Sequence, residues 1–169
     1  NGKKPEEISQ EEKDDLKNNG LKSLQQSINN RTTLTTNSRI PKFAAYDING
    51  KPVNNATLST AGTTVVVAWA SWNYNSISML QSMALLQKET KGEVKVVNIC
   101  LDYSRAECRR ILNTREIEDV ITICDGKSID GDVYNLLGMS NIPDNIVIEN
   151  GKVTATNLTI EQLNKKLRK

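Results

Sequence analysis

The chain has 169 residues, enough for one domain of ordinary size with a buried core and some surplus, and its 22 basic and 20 acidic residues leave a formal charge of only +2. That balance, with no polybasic run, gives no electrostatic reason to bind nucleic acid or an anionic membrane. There is no histidine, which excludes serine–histidine and cysteine–histidine catalysis and removes the commonest metal ligand and proton switch.

In chain order, Pro5 to about Asn30 is charged and polar, with Ile8, Leu16, Leu21, Leu24 and Ile28 spaced as in a weakly amphipathic helix interrupted near Asn18-Asn19-Gly20. The Thr- and Asn-rich stretch from Asn29 to Ser38 reads as a linker. We therefore expect a polar helical segment and linker over 1–36 and a folded domain over 37–169. The polar opening Asn1-Gly2-Lys3-Lys4-Pro5 fits either a mature N-terminus, with a lipid anchor upstream of Asn1, or an arbitrary boundary. No apolar run approaches the roughly 20 residues of a spanning helix, so no transmembrane segment is expected.

Phe43 to Asp47 and Lys51-Pro52-Val53 flank Asn49-Gly50, the pair best suited to a tight hairpin turn. Val65 to Trp69 is a continuous β-branched run, as in a strand buried on both faces. Asn73 to about Thr90 carries Ile77, Leu80, Met83, Ala84 and Leu86 at helical spacing and closes at Lys91-Gly92. A strand over Val94 to Leu101, a helix from Ser104, a strand over Val120 to Cys124 and a short helix over Asp130 to Leu137 follow. Asn145 to Ile148 is turned by Asn150-Gly151 into a hairpin partner, Lys152 to Thr156, and Thr159 caps a last helix whose basic residues suit the negative end of its dipole. The alternation predicts an α/β fold with a mixed, mostly parallel central sheet, helices on both faces and a C-terminal antiparallel hairpin.

Phe43 to Asp47, Asn49-Gly50-Lys51-Pro52-Val53 and Trp69-Ala70-Ser71-Trp72 together resemble the opening of a thioredoxin-like thiol-disulfide oxidoreductase of the membrane-anchored periplasmic type, the TlpA/ResA group. Val96 to Asp102, Asn141-Ile142-Pro143 and Ile146 to Lys152 match further segments of that pattern in order, so the likeness covers about 37 to 169. It implies a thioredoxin-like fold, a cis peptide before Pro143, and a periplasmic or cell-envelope location. It also implies a W-A-S-W-C-x-x-C motif, and there the chain departs: the two cysteines fall on Asn73 and Ser76. A thiolate at this helix start is stabilised by the dipole and free N–H groups, and a second thiol resolves the mixed disulfide; an amide and a hydroxyl do neither. Met79 and Gln81 also replace an acidic residue and a proline of the pattern, so the change is broad.

Asn73 and Ser76 are accordingly read as capping residues rather than catalytic ones. Trp72, Tyr74, Asn75, Ile142 and Pro143 are the candidate binding residues, for a partner protein or an extended peptide held by backbone pairing; the plainer readings are exposed turn residues and a proline kept because the loop needs it. Cys100, Cys108 and Cys124 lie 8 and 16 positions apart, which is neither a zinc-type pair nor a dithiol motif, so no metal and no cofactor are expected. Cys100 and Cys124 end strands that the resemblance places side by side and are a candidate disulfide, against the plainer reading of buried apolar residues; Cys108 reads as core. The glycosylation patterns at Asn30, Asn55 and Asn157 carry no weight beside a bacterial resemblance. The function expected is a redox-inactive binding module; its rivals are an oxidoreductase using Cys100 or Cys124, and an architectural domain whose N-terminal segment makes the interaction.

Overall fold

A computed structural model describes residues 34–168; residues 1–33 of the expected N-terminal segment lie outside the described residues. The elements are β1 (Ala44–Tyr46), β2 (Pro52–Asn54), α1 (Asn55–Leu58), β3 (Thr63–Trp69), α2 (Tyr74–Glu89), β4 (Val94–Cys100), α3 (Arg105–Thr114), β5 (Ile121–Ile123), α4 (Asp132–Leu136), β6 (Asp144–Glu149), β7 (Lys152–Thr156) and α5 (Ile160–Leu167). The central sheet has the order β5-β4-β3-β6-β7, and β1 and β2 form a separate antiparallel pair. β3, β4 and β5 run parallel, whereas β6 runs antiparallel to β3 and β7 to β6. This is the mixed sheet with a C-terminal hairpin that the sequence predicts.

The β-branched run of β3 sits at the centre because it can bury both faces. Val66 and Ala68 enter one core with Leu58, Val97, Ile99, Leu137, Ile146 and Ile148. Val65, Val67 and Trp69 enter the other with Leu80, Met83, Val96, Val147 and Leu163. The second core is covered by α2, α3 and α5, and the first by α1, α4 and the chain that leads in from Leu34. Both sheet edges are blunted by backbone pairing: Asn37 N–H donates to the Val153 carbonyl at 2.7 Å beside β7, and Ile48 N–H donates to the Thr122 carbonyl at 2.7 Å beside β5.

Helix limits follow local chemistry. Asn73, Ser104 and Thr159 cap α2, α3 and α5 through their side chains, and Gly92, at φ +85°, turns the chain out of α2. The helix expected over Asp130 to Leu137 is divided, because Gly131 takes an extended conformation between a single 3-10 turn at Ser128–Asp130 and α4. Among the described residues no helix is long and apolar enough to cross a membrane.

Candidate functional site

The site lies where the C-terminal ends of β3 and β4 meet the start of α2. Trp69 closes β3 with its ring fully buried, and its indole N–H donates to Asn98 Oδ1 at 2.7 Å. The Asn98 amide donates in turn to the Ile121 carbonyl at 3.1 Å and the Thr122 hydroxyl at 3.0 Å, so one buried side chain ties three strands together. Beyond Trp69, Ser71 N–H donates to Asp102 Oδ1 at 2.8 Å, fixing the loop to the end of β4. The other oxygen, Asp102 Oδ2, is buried without a hydrogen-bond partner.

At the two positions that the resemblance assigns to cysteines, every polar atom is engaged in structure. Asn73 Oδ1 accepts from Ser76 N–H at 2.9 Å, a helix cap, and Asn73 Nδ2 donates to the Ile142 carbonyl at 3.1 Å. Ser76 is fully buried; its Oγ accepts from Ala70 N–H at 3.0 Å and donates to the Asn73 carbonyl at 2.7 Å, with the Ala70 carbonyl at 3.1 Å as a second acceptor. A hydroxyl so placed has no base to activate it and no open face toward a substrate.

The second half of the site is the loop before β6, where the Ile142–Pro143 peptide is cis. The buried carboxylate of Asp144 shapes this loop. Its Oδ2 accepts from Ser140 N–H at 2.9 Å and Asn141 N–H at 3.3 Å, and its Oδ1 accepts from Asn145 N–H at 2.8 Å. Burial raises the Asp144 pKa above the ordinary carboxylate value, and these N–H groups offset part of the rise. Tyr134 Oη braces the same loop through the Asn141 carbonyl at 3.1 Å.

The structure therefore brings Asn73 and Ile142 together across 69 residues of sequence, with Pro143 beside them half-buried. Trp72 and Tyr74 project from the start of α2 at 58% and 68% exposure, Asn75 is exposed next to them, and the Arg115 guanidinium lies 5.8 Å from the Tyr74 ring centroid. Tyr103, which follows Asp102, is also exposed, at 72%. A groove of another kind, lined by Gln81, Leu85, Lys88, Arg115 and Glu118, runs along α2 away from Asn73.

Cys100, Cys108 and Cys124 are free, buried and mutually adjacent, all three Sγ atoms lying within 4.8 Å of one another. Hydrogen bonding with Cys108 and Cys124, then burial, pushes Cys100 far above an ordinary thiol. Cys108 is lowered by its hydrogen bond with Cys100 but ends raised, because its bond with Cys124, burial and the charges of Cys124 and Asp102 outweigh that. Cys124 moves down, since Cys100 and Cys108 both donate toward its sulfur and the Gly126 N–H and the Arg105 guanidinium lie alongside. Its 3.7 Å contact to the Asp102 carbonyl is available only to the protonated thiol and opposes that drift.

Sequence reasoning did not single out Asn98, Asp144 or the joining of all three cysteines. Asn98 did leave a signal, as the one uncharged polar residue inside the apolar run of β4; Asp144 left none beyond following Pro143.

No protein-family model matches the chain, and no curated protein matches it in sequence. Solved structures do. The chain is similar to a thiol-disulfide oxidoreductase from Bacteroides fragilis, at 20% identity and a TM-score of 0.68 over 78% of this chain and 98% of that one. It is similar to the thioredoxin domain of a thiol-disulfide oxidoreductase from Bacteroides vulgatus, at 15% identity and a TM-score of 0.65 over 79% and 99%. A secreted disulfide oxidoreductase of Mycobacterium tuberculosis aligns at 16% identity and a TM-score of 0.63 over 75% and 94%. The chain has the thioredoxin-like fold that these oxidoreductases share, and at such identities the likeness is one of fold.

Proposed function

We propose that this chain is a redox-inactive thioredoxin-like module of the cell envelope, which holds an extended segment of a partner protein across Trp72, Tyr74, Asn75, Ile142 and Pro143. The observation that carries the reading is the state of the exchange positions: Asn73 and Ser76 stand there, and their polar atoms are committed to the helix start and to the Ile142 carbonyl. Thiol–disulfide exchange requires a thiolate to attack sulfur, and this loop has no sulfur to offer. Its surface keeps two exposed aromatic rings beside a fixed loop with half-buried backbone, an arrangement suited to edge pairing with an extended chain and to aromatic anchoring of its side chains. Asn73 takes one of the two lone pairs of the Ile142 carbonyl and leaves the other for a ligand. The envelope location rests on the resemblance and on a secreted likeness in fold, with residues 1–36 as the connection to a lipid or partner.

The rival reading, an oxidoreductase using Cys100 or Cys124, draws on the contact between these thiols but has them buried under loops. An insulin-reduction assay with dithiothreitol separates the two. The wild-type chain is expected to add nothing to the reductant alone, whereas Asn73→Cys with Ser76→Cys confers acceleration. Acceleration by the wild type that disappears in Cys100→Ser or Cys124→Ser would establish the rival. Binding to an array of extended peptides tests the surface itself: Trp72→Ala and Tyr74→Ala should each weaken binding by about tenfold, within the usual range for aromatic anchors. Binding that persists unchanged in both would remove this surface from consideration.

A further inference from the structure

The chain has three cysteines, and the fold brings all of them to one point from three places: the end of β4, the first turns of α3 and the residue after β5. We propose that Cys100, Cys108 and Cys124 form a binding site for a single thiophilic monovalent cation, Cu(I) in kind, coordinated by three sulfurs in the interior of the domain. A core that needs small apolar filling can use alanine, valine or scattered cysteines; it does not require every sulfhydryl of the chain to converge.

The geometry is close to that of a coordinated set. A trigonal site with metal–sulfur bonds of about 2.3 Å holds its sulfurs about 4.0 Å apart. From a spread within 4.8 Å, each sulfur has to move inward by no more than about 0.5 Å to reach those bond lengths, which side-chain rotation can supply. The donor set selects the ion. Three sulfurs with no nitrogen or oxygen suit a soft cation and disfavour magnesium, calcium and manganese. Zinc asks for four ligands in a closed site, and among the described residues no histidine or carboxylate completes the group.

Cu(I) bound with one thiolate leaves the charge of the site unchanged, and each further thiolate adds one negative charge. Asp102, whose carbonyl faces Cys124 Sγ at 3.7 Å, carries the buried oxygen Oδ2 that has no partner. Arg105 Nε donates to the Cys124 carbonyl at 3.0 Å and stands ready to offset thiolate charge. Each sulfur that binds as thiolate gives its proton to solvent, so uptake releases protons and is weakened by acid. Cys124 is followed directly by exposed Asp125 and Lys127, with Gly126 at φ +76° tucked against the Tyr103 carbonyl, so the chain beside this sulfur reaches the surface at once.

The test is anaerobic titration of the reduced full chain with Cu(I) held by a chromophoric chelator. One Cu(I) per chain should leave the chelator, with a thiolate-to-copper charge-transfer absorption, and Zn(II) should bind more weakly. Cys100→Ser, Cys108→Ser and Cys124→Ser should each lower Cu(I) affinity by more than the 10- to 100-fold that loss of an outer-shell partner typically costs. X-ray absorption on the wild-type complex needs no variant to fold and should show three sulfur neighbours at about 2.3 Å. The proposal is overturned by a wild type that takes no Cu(I), by tighter binding of Zn(II), by a folded single variant with unchanged affinity, or by nitrogen or oxygen neighbours at the metal.

Discussion

Asn73→Ala is the sharpest perturbation of the candidate site, because one side chain makes both the cap on α2 and the bond to the Ile142 loop. The cap on Ser76 N–H at 2.9 Å is lost, and removing such a cap costs about 1 kcal/mol. The bond from Nδ2 to the Ile142 carbonyl at 3.1 Å is lost as well. That carbonyl belongs to a half-buried residue which water can reach, so its loss adds a net hydrogen bond of about 1 kcal/mol rather than a full desolvation penalty. Together the change should cost about 2 kcal/mol, or a fall in Tm of about 4–8 °C for a chain of this size. Asn73→Asp separates the two parts: it keeps the acceptor for Ser76 N–H and places a negative charge at the positive end of the α2 dipole, while the donor to Ile142 gives way to an acceptor-only oxygen that has to turn from that carbonyl toward solvent. It should recover at least half of the loss. Urea denaturation followed by far-UV circular dichroism reads both variants. A cost below about 0.5 kcal/mol for Asn73→Ala would show that these bonds do not hold the two halves of the site together.

Asn98→Ala should be more damaging, because it leaves the buried Trp69 indole N–H and the Thr122 hydroxyl without their partner. At about 1–3 kcal/mol for each stranded group, a loss of about 3–5 kcal/mol in urea denaturation is expected, and one below about 1 kcal/mol would refute the brace. Asp144 gives stability a pH dependence of known sign. Its native pKa is raised above the ordinary 3.8, so the folded state holds a proton that the unfolded state has released, and stability falls as pH rises from about that value through the native pKa. The stability difference between wild type and Asp144→Asn, measured from acid to neutral pH, should shrink over that window and then level; a difference that grows with pH would reverse the assignment.

The fold was legible because its signals are local and repeat. The β-branched run at Val65 to Val67, the Asn-Gly turns at 49–50 and 150–151, and the caps at Ser104 and Thr159 each specify one geometry whatever surrounds them. Trp69-Ala70-Ser71-Trp72 added the fold type, and Asn73-Tyr74-Asn75-Ser76 after it carries no cysteine at the two positions that the resemblance assigns to cysteines. What sequence could not give was three-dimensional coincidence. Cys108 lies on the inward face of α3, which read as core, and nothing in its spacing from Cys100 and Cys124 shows that all three sulfurs meet. Asn73 illustrates the same limit from another side: its capping role follows from residue type, while its bond to Ile142 depends on a loop 69 positions away.

On the proposed reading, Asn73 and Ser76 at the exchange positions are better understood as a trade than as decay. A thiol is a weak donor and a weak acceptor, so a helix that begins on two of them leaves its first N–H groups poorly satisfied, which is what keeps those sulfurs reactive. Asn73 and Ser76 reverse that balance. Their side chains satisfy the Ser76 and Ala70 N–H groups and draw the Ile142 carbonyl onto the helix start, at the positions where exchange chemistry would need free sulfur. Gain of stability with loss of activity is the ordinary exchange at such sites. On the proposed reading a surface that binds without exchange chemistry needs a rigid frame, and the capped helix, the Asp144 loop and the Asn98 brace supply one.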